Sequence, residues 1–198
     1  MELAFNKKIH FIGIGGISMS SIASILLTRG YKVSGSDSKE SALTKELQGQ
    51  GAEIIIGQSA DNITDDIGTV VYTAAIHEDN PELSRVRELG IPAATRAEFL
   101  GELMKEYGNV ICISGTHGKT TTTSLISQIF LEADADPTIL SGGIMPSIGS
   151  QTRIGHSEHM IAEACEYTNS FLSFFPKIAV ILNVRADHLD FFKDLDDI

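Results

Sequence analysis

The chain has 198 residues, enough for one large domain or for one domain and part of a second. Apolar residues make up 42% of it and charged residues 21%, which is ordinary for a globular protein. Its 26 acidic side chains outnumber 15 basic ones and give a net charge of −11, which excludes a general nucleic-acid surface because such surfaces need clustered cations. Nucleotides are not excluded, since a few backbone amides and one lysine can hold a phosphate.

The sequence gives little indication of a membrane span, a signal peptide, a disulfide framework or a zinc site. No stretch approaches the roughly 20 apolar residues that cross a bilayer. The apolar run at residues 9–17 is interrupted by glycines and lacks a cleavage site, so it indicates a strand and turn and not a signal peptide. Cys112 and Cys165 lie in apolar surroundings without CxxC spacing, which argues against a disulfide framework or a zinc site. We therefore expect a protein of the reducing cytoplasm.

The hydrophobic pattern alternates strand-like and helix-like segments, which indicates an α/β protein with a largely parallel sheet. In the first half, the pattern predicts strands at residues 8–12, 31–36, 53–56, 69–73 and 93–94, and helices at residues 18–29, 41–48, 81–89 and 96–107. The second half predicts a strand at 110–114, a helix at 119–132, and strands at 137–140, 159–164 and 177–184. The last segment is apolar and β-branched, which predicts a buried central strand.

The strongest motif lies between a predicted strand and a predicted helix, and it reads Gly115-Thr116-His117-Gly118-Lys119-Thr120. Loop amides and a helix N-terminus form a positive concavity for phosphate oxygens. Lys119 would reach the β- and γ-phosphates, and the Thr120 hydroxyl would bind Mg²⁺. The strict P-loop pattern has a glycine where this chain has Ile113. The motif still predicts an ATP site.

A second glycine loop follows the first predicted strand and reads Gly13-Ile14-Gly15-Gly16-Ile17-Ser18. It is similar to the dinucleotide fingerprint, although Ser18 occupies the third glycine position. Asp37 ends the second predicted strand, about where an acidic residue meets a ribose hydroxyl. By itself this motif leaves open a site for NAD and a purely structural turn.

Polar groups also follow two later strands. One cluster reads Glu163-Ala164-Cys165-Glu166, and another runs from Asn183 to Asp190 and includes Asp187 and His188. Ligands of α/β proteins bind at the carboxyl ends of parallel strands, so these groups are candidate Mg²⁺ ligands or supports for such ligands. The alternative is a set of solvated charges at strand ends. We assign Asp190, Asp194, Asp196 and Asp197 to that alternative.

The turn at Gly108-Asn109 predicts a boundary between two domains. Residues 1–107 would form a Rossmann-like, parallel-sheet domain, because they contain a full strand and helix alternation that starts with a glycine loop. Residues 108–198 would form the beginning of a P-loop α/β domain that is incomplete at residue 198. The predicted fold class is therefore α/β throughout.

Together these motifs resemble the Mur ligases. The segments that carry the resemblance occur in the family's order and are residues 11–20, Gly115 to Thr123, Glu163 to Glu166 and Asp187 to Asp190. The first loop and the threonine-rich second loop are most similar to the members that add L-alanine. The resemblance implies that the first loop binds a UDP-sugar and not NAD, through Gly13, Gly15, Gly16, Ile17, Ser18 and Asp37.

For the second loop, the resemblance implies ATP binding by Gly115, Thr116, His117, Gly118, Lys119, Thr120 and Thr121. Metal association falls to Thr120, Glu163 and His188, and the catalytic roles to Lys119, Glu163 and His188, with Asn183 also carried over. The cofactors implied are ATP and Mg²⁺. The substrates implied are UDP-N-acetylmuramate and L-alanine, with no nucleic acid and no membrane among the partners.

The implied reaction is the ATP-dependent ligation of L-alanine to UDP-N-acetylmuramate through an acyl phosphate, a step of peptidoglycan biosynthesis. In the family, the adenine contacts and the amino-acid-binding domain come after the position that corresponds to residue 198 of this chain. The chain alone is therefore expected not to ligate alanine. Three alternatives remain, namely a ligase that attaches a preformed peptide to the same UDP-sugar, a nucleotide-dependent switch or ATPase, and an NAD-dependent oxidoreductase.

Overall fold

The computed structural model describes residues 7–73, 75–187 and 191–195. The chain divides into two compact units, Met1–Phe99 and Leu100–Ile198, and there is one five-stranded sheet in each. The α/β class expected from the sequence is confirmed. The division between the units falls eight residues before the boundary predicted at residues 107 and 108, and that boundary stays a prediction.

The first unit is a fully parallel sheet in the strand order β3-β2-β1-β4-β5. Its strands are β1 Lys8–Ile12, β2 Val33–Asp37, β3 Glu53–Ile56, β4 Ile67–Tyr72 and β5 Ala93–Thr95. Its helices are α1 Ile17–Thr28, α2 Ala42–Gly49, α3 Pro81–Leu89 and α4 Arg96–Met104, with a 3₁₀ helix at Ala60–Asn62; α4 crosses the division between the units. Strands β2 and β3 lie on one side of β1, and β4 and β5 lie on its other side, so the strand order reverses at β1. Ligands of such sheets bind at the carboxyl ends of the strands beside this reversal.

The core of the first unit explains the apolar character of β1. Ile9, Phe11 and Ile12 are fully buried, because a central parallel strand is covered on both faces. The Phe11 ring meets Phe99 edge-on, with 6.0 Å between ring centroids. At the opposite end of the strand, the Lys8 ammonium bonds to Asp66 at 2.8 Å. β1 is therefore fixed along its length before the glycine loop begins.

The second unit has the strand order β10-β6-β9-β7-β8, with only the β7–β8 pair antiparallel. Its strands are β6 Asn109–Ser114, β7 Thr138–Met145, β8 Ser150–Arg153, β9 His159–Glu163 and β10 Ile178–Ile181. Helix α5 covers Lys119–Glu132, and a 3₁₀ helix covers Tyr167–Ser173. The carboxyl ends of β6, β9 and β10 lie side by side, so the loops that follow them converge.

Two expectations from the sequence were wrong, and one strand was not predicted. The strand expected at 177–184 is shorter, lies at one side of the sheet of described strands, and exposes Ile178 and Ile181 at 48% and 69%. Its apolar β-branched pattern predicted burial, but order within a sheet depends on pairing between distant segments. Cys165 is exposed although its sequence neighbours suggested apolar surroundings, whereas Cys112 is buried, and both thiols are free. Strand β8 was missed because its sequence, Ser-Gln-Thr-Arg, is polar.

Among the described residues, no helix combines the length and the apolar character needed to cross a membrane. The longest helix, α5, has 14 residues, and it begins with four threonines after its first lysine. A span of the bilayer takes roughly 20 predominantly apolar residues.

Candidate functional site

The first glycine loop links β1 to α1 at the reversal of strand order. Gly13 has a φ of +85°, a conformation that favours glycine, and its amide donates to the Ser36 carbonyl oxygen at 2.8 Å. The Ile14 amide donates to the same oxygen at 3.0 Å. Helix α1 begins after Gly16, and no side chain of the described residues caps it. The first turn of α1 therefore keeps the positive end of its dipole without a side-chain cap, as an anion site requires.

Asp37 anchors this loop from the end of β2. Its Oδ2 atom accepts a hydrogen bond from the Gly15 amide at 2.8 Å. A Cβ atom at Gly15 would lie 2.7 Å from the same oxygen, so only glycine allows this approach. The sequence predicted Asp37 as a contact to the UDP-sugar, and that role stays a prediction. Its contact within the structure is with the loop itself.

A buried polar network holds the strand end on which the loop rests. Glu82, in the first turn of α3, is fully buried and accepts from Ser36 Oγ and from Asn62 Nδ2, each at 2.6 Å. His10 on β1 is also fully buried and bonds through Nδ1 to Ser34 Oγ at 2.9 Å. Because the Ser36 carbonyl accepts from the loop amides, the network fixes the position of the loop. Sequence reasoning missed Glu82 as a support, since nothing local marks a buried carboxylate.

Arg96 reaches the same loop from the start of α4. Its Nη1 atom donates to Ser18 Oγ at 3.1 Å. Ser18 and Ile17 form the first turn of α1, and Ile17 is 56% exposed. The structure thus places a guanidinium beside the helix end where the sequence predicts a diphosphate. Sequence reasoning did not assign Arg96 to the loop, because no local signal connects it with a segment 78 residues earlier.

The second loop connects β6 to α5 through four residues, Gly115 to Gly118. Gly115 and Gly118 have φ values of +128° and +88°. A Cβ atom on Gly115 would lie 2.9 Å from the Asn183 carbonyl oxygen, so the backbone passes too close for any side chain. Directly before the loop, burial raises the pKa of the Cys112 thiol to about 12, which keeps it protonated and unreactive. The strand, loop and helix predicted from the sequence are all present.

The segment after β10 forms several hydrogen bonds with this loop, and those made by Asn183 are called the Asn183 clasp. The Asn183 side chain accepts from the His117 amide at 3.0 Å and donates to the His117 carbonyl oxygen at 2.9 Å. The Thr116 amide donates to the main-chain oxygen of Asn183 at 3.0 Å, and the Arg185 amide donates to Thr116 Oγ1 at 2.9 Å. Paired bonds of this kind give the loop one conformation, which prepares it for a ligand. The sequence carried Asn183 over without a role, and the structure gives it this one.

Lys119 lies across the loop and not out in solvent. Its Nζ atom donates to the Gly115 carbonyl oxygen at 2.7 Å and to both carboxylate oxygens of Glu166 at 3.0 Å. The exposed fractions of the Lys119 and Glu166 side chains are 15% and 7%. The sequence named Glu166 within an acidic cluster but assigned it no contact with the lysine.

Glu163 lies at the end of β9. Its Oε1 atom accepts from Ser141 Oγ at 3.3 Å. Two consecutive glycines of β7 border the candidate metal ligands. A Cβ atom at Gly142 would lie 2.5 Å from Glu163 Oε2, and one at Gly143 would lie 3.1 Å from Thr120 Cγ2. The absence of side chains at these two glycines leaves room beside Glu163 and beside Thr120, which sequence reasoning did not foresee.

The second unit thus brings together most of the residues predicted for ATP and metal. Thr116 is buried, whereas His117 and Thr121 are exposed at the start of α5. His188 and Asp190 lie outside the described residues, so the predicted metal role of His188 stays a prediction. Within the described ranges, no group of three or more histidine, cysteine or acidic side chains is placed to hold a metal ion.

Comparison with known proteins gives a consistent picture. Residues 8–108 match the family described as "Mur ligase family, catalytic domain", and residues 113–198 match "Mur ligase middle domain". The UDP-N-acetylmuramate–L-alanine ligase of Lachnospira eligens is 64% identical over 199 residues, covering 100% of this chain and 43% of the relative. The ligase of the same name from Clostridium kluyveri is 60% identical over 193 residues, covering 98% of this chain and 42% of the relative. The chain therefore spans less than half the length of these relatives.

Solved structures agree with this result. The UDP-N-acetylmuramate–alanine ligase of Thermotoga maritima superimposes with a TM-score of 0.81 at 35% identity, covering 93% of this chain and 43% of that one. The UDP-N-acetylmuramate:L-alanyl-γ-D-glutamyl-meso-diaminopimelate ligase of Neisseria meningitides gives a TM-score of 0.85 at 29% identity, covering 96% of this chain and 64% of that one. Since both units match the family in sequence and in fold, the chain belongs to the Mur ligase family.

Proposed function

We propose that this chain is part of an enzyme that ligates L-alanine to UDP-N-acetylmuramate with ATP, a step of cytoplasmic peptidoglycan synthesis. The observation that carries the proposal is the loop of the second unit. Its lysine, its helix N-terminus and the carboxylate of Glu163 are assembled at neighbouring strand ends. The names of relatives 64% and 60% identical to the chain support the choice of alanine and of the UDP-sugar.

In this proposal, residues 115–121 bind the phosphates of ATP. The amides of the first turn of α5 form the positive end of the helix dipole, where phosphate oxygens are stabilised. Lys119 neutralises charge on the β- and γ-phosphates. This neutralisation is needed because an anionic carboxylate must approach a polyanion. The Asn183 clasp keeps the loop in place, so little conformational entropy is lost when ATP binds.

The residues on the metal side of the loop fit Mg²⁺. Thr120 offers a hydroxyl and Glu163 a carboxylate, and both are the hard oxygen ligands that this ion prefers. His188 is proposed as a further ligand or as a group close to the phosphates. When bound, Mg²⁺ would supply charge stabilisation on the phosphate oxygens. Ser141 fixes one oxygen of Glu163, which orients the other towards the space beside Gly142.

The first unit would bind the UDP-sugar. Gly13, Gly15, Gly16, Ile17 and Ser18 supply the backbone and the helix end that favour a diphosphate. Asp37 fixes the loop through the Gly15 amide, and it is proposed to contact the nucleotide as well. Arg96 adds a positive charge beside Ser18. An NAD site is not proposed, because the whole chain is similar to relatives named for a UDP-sugar.

The reaction would proceed in two steps. The lactyl carboxylate of UDP-N-acetylmuramate attacks the γ-phosphorus of ATP, and the bond from this phosphorus to the bridging oxygen breaks with release of ADP. The amine of L-alanine then attacks the acyl phosphate, and the tetrahedral intermediate collapses to the amide with release of phosphate and a proton. Holding both substrates in one site makes each attack effectively intramolecular.

A second candidate is a ligase that attaches a preformed peptide to the same UDP-sugar. The structural similarity to the Neisseria meningitides enzyme, with its TM-score of 0.85, favours it. Both candidates share the ATP loop, so the described residues do not separate them. Comparing alanine with L-alanyl-γ-D-glutamyl-meso-diaminopimelate as the acceptor for the full-length protein would decide between them.

The first experiment is a calorimetric titration of the 198-residue chain with UDP-N-acetylmuramate, with NAD as the control ligand. We expect saturable binding of the UDP-sugar and no binding of NAD. Arg96→Ala should weaken the binding of the UDP-sugar by roughly tenfold, which is the scale of a lost charge-assisted contact to a phosphate. Binding of NAD in preference to the UDP-sugar would contradict the proposal.

A further inference from the structure

Two carboxylates follow β9, and the structure assigns them to different tasks. Glu163 accepts from Ser141 and borders the glycines of β7. Glu166, three residues later, accepts from Lys119 through both of its oxygens. Glu166 also lines a cavity of about 80 Å³ beside Gly115 and Asn183. The two acidic residues therefore have different partners.

We infer that Glu166 is the positioning residue of Lys119: it holds the ammonium as its counter-ion until the phosphates of the nucleotide take the lysine over. The inference rests on the proposed function of this loop as an ATP site. It adds to that site a residue that weakens the binding of phosphates, whereas Lys119 strengthens it. Glu166 acts through Lys119 and does not need to touch the substrate.

The burial of the pair gives the physical reason. Lys119 and Glu166 are 15% and 7% exposed, and a buried charge without a partner is strongly unfavourable. Glu166 and the Gly115 carbonyl oxygen meet this need of Lys119 at 3.0 Å and 2.7 Å. The loop can then remain closed around its lysine when no phosphate is present.

Ligand binding must change this arrangement. Phosphate oxygens that enter the loop attract Lys119, and at the same time they are repelled by the Glu166 carboxylate. The ligand therefore competes with Glu166 for one ammonium group. A neutral side chain of the same shape at position 166 would remove the competition and the repulsion, and it would leave one amide oxygen to accept from Lys119.

The test uses the 198-residue chain, the substitution Glu166→Gln, and inorganic tripolyphosphate as the probe. Tripolyphosphate contains the phosphates alone, so contacts to adenine do not contribute. We expect Glu166→Gln to bind it at least about fivefold more tightly than the unmodified chain, measured by calorimetry. We also expect the unliganded variant to melt a few degrees lower, because a buried ion pair is lost.

Glu132→Gln is the matched control. Glu132 ends α5, accepts from Gln128 Nε2 at 2.6 Å, and its substitution makes the same change of net charge far along the helix from the loop. It should change the affinity by less than about twofold, because exposed charges at that distance are screened. Lys119→Met should abolish binding and so identify the loop as the site of the probe.

The outcomes separate this inference from the proposed function. Tighter binding by Glu166→Gln together with lower unliganded stability supports the inference, since a merely structural role would lower both quantities. Equal or weaker binding by Glu166→Gln, with the unmodified chain still binding, overturns the inference and leaves the ATP site intact. Failure of both proteins to bind overturns both proposals. An equal gain in Glu132→Gln attributes the effect to net charge and also overturns the inference.

Discussion

The clasp between Asn183 and His117 leads to a prediction about a single amide. In Asn183→Ala, the His117 amide loses its acceptor at 3.0 Å, and the His117 carbonyl oxygen loses its donor at 2.9 Å. The Thr116 amide keeps its partner, because it donates to the main-chain oxygen of residue 183 at 3.0 Å. The substitution therefore removes the side-chain part of the clasp and leaves the backbone part.

The size of the effect follows from the surface position of these bonds. A net hydrogen bond contributes about 0.5–1.5 kcal/mol to stability, and partly solvated bonds fall at the low end of this range. Two such bonds give about 1 kcal/mol for local opening of the loop. Since about 1.4 kcal/mol corresponds to a factor of ten, hydrogen exchange at the His117 amide should become roughly fivefold faster.

Amide hydrogen exchange followed by NMR measures this directly, with the Thr116 amide as an internal control. We expect the exchange rate at Thr116 to change by less than about twofold, and global unfolding in urea to shift only slightly. An unchanged rate at His117 would show that the Asn183 side chain does not hold the loop. Equal acceleration at both amides would show that the substitution loosens the whole segment, which refutes the division into two parts.

Three further predictions concern single residues. Gly142→Ala should change the free energy of unfolding by less than about 1 kcal/mol, because its Cβ meets only the flexible tip of Glu163, yet weaken Mg²⁺-dependent ATP binding severalfold in calorimetry. At pH 8 a maleimide should label the exposed Cys165 alone, since burial raises the pKa of Cys112 to about 12; two labels on the native chain would contradict this. Lys8 bonds to Asp66 and lowers the pKa of this carboxyl from 3.8 to about 2. The ion pair therefore contributes to folding stability above pH 3.8, and this contribution is lost as the pH falls towards 2. Asp66→Asn should therefore reduce stability at pH 7 by a few tenths of a kcal/mol and make almost no difference near pH 2, as measured by urea unfolding.

The local elements of both loops could be predicted from the sequence. A strand, a glycine turn and a helix lie within about twenty consecutive residues in each case, and their signals are local. Gly13, Gly115 and Gly118 adopt positive φ values that few other residues tolerate, so these glycines mark the turns in the sequence. Helices α3 and α5 begin and end where the sequence predicted, since Pro81 marks one start and the glycine loop marks the other.

The partners of these loops could not be predicted in the same way. Lys119 and Glu166 are 47 residues apart, His117 and Asn183 are 66 apart, and Arg96 lies 78 residues from Ser18. Each pair meets only because strands from distant parts of the chain lie side by side. A sequence shows which residues can carry charge or donate a hydrogen bond, but not which strand will lie next to which.

The strand at Ile178–Ile181 illustrates the same limit. Its apolar, β-branched composition was enough to predict that it forms a strand, because that preference is local. Its place at one side of the described sheet depends on pairing with β6, which is more than sixty residues earlier in the chain. The sequence by itself therefore determined the fold class, the two glycine loops and the family. Only the tertiary structure decided that Glu166 holds the lysine, Asn183 clasps the loop and Glu82 supports the first site, because these contacts arise from the order in which the strands pair.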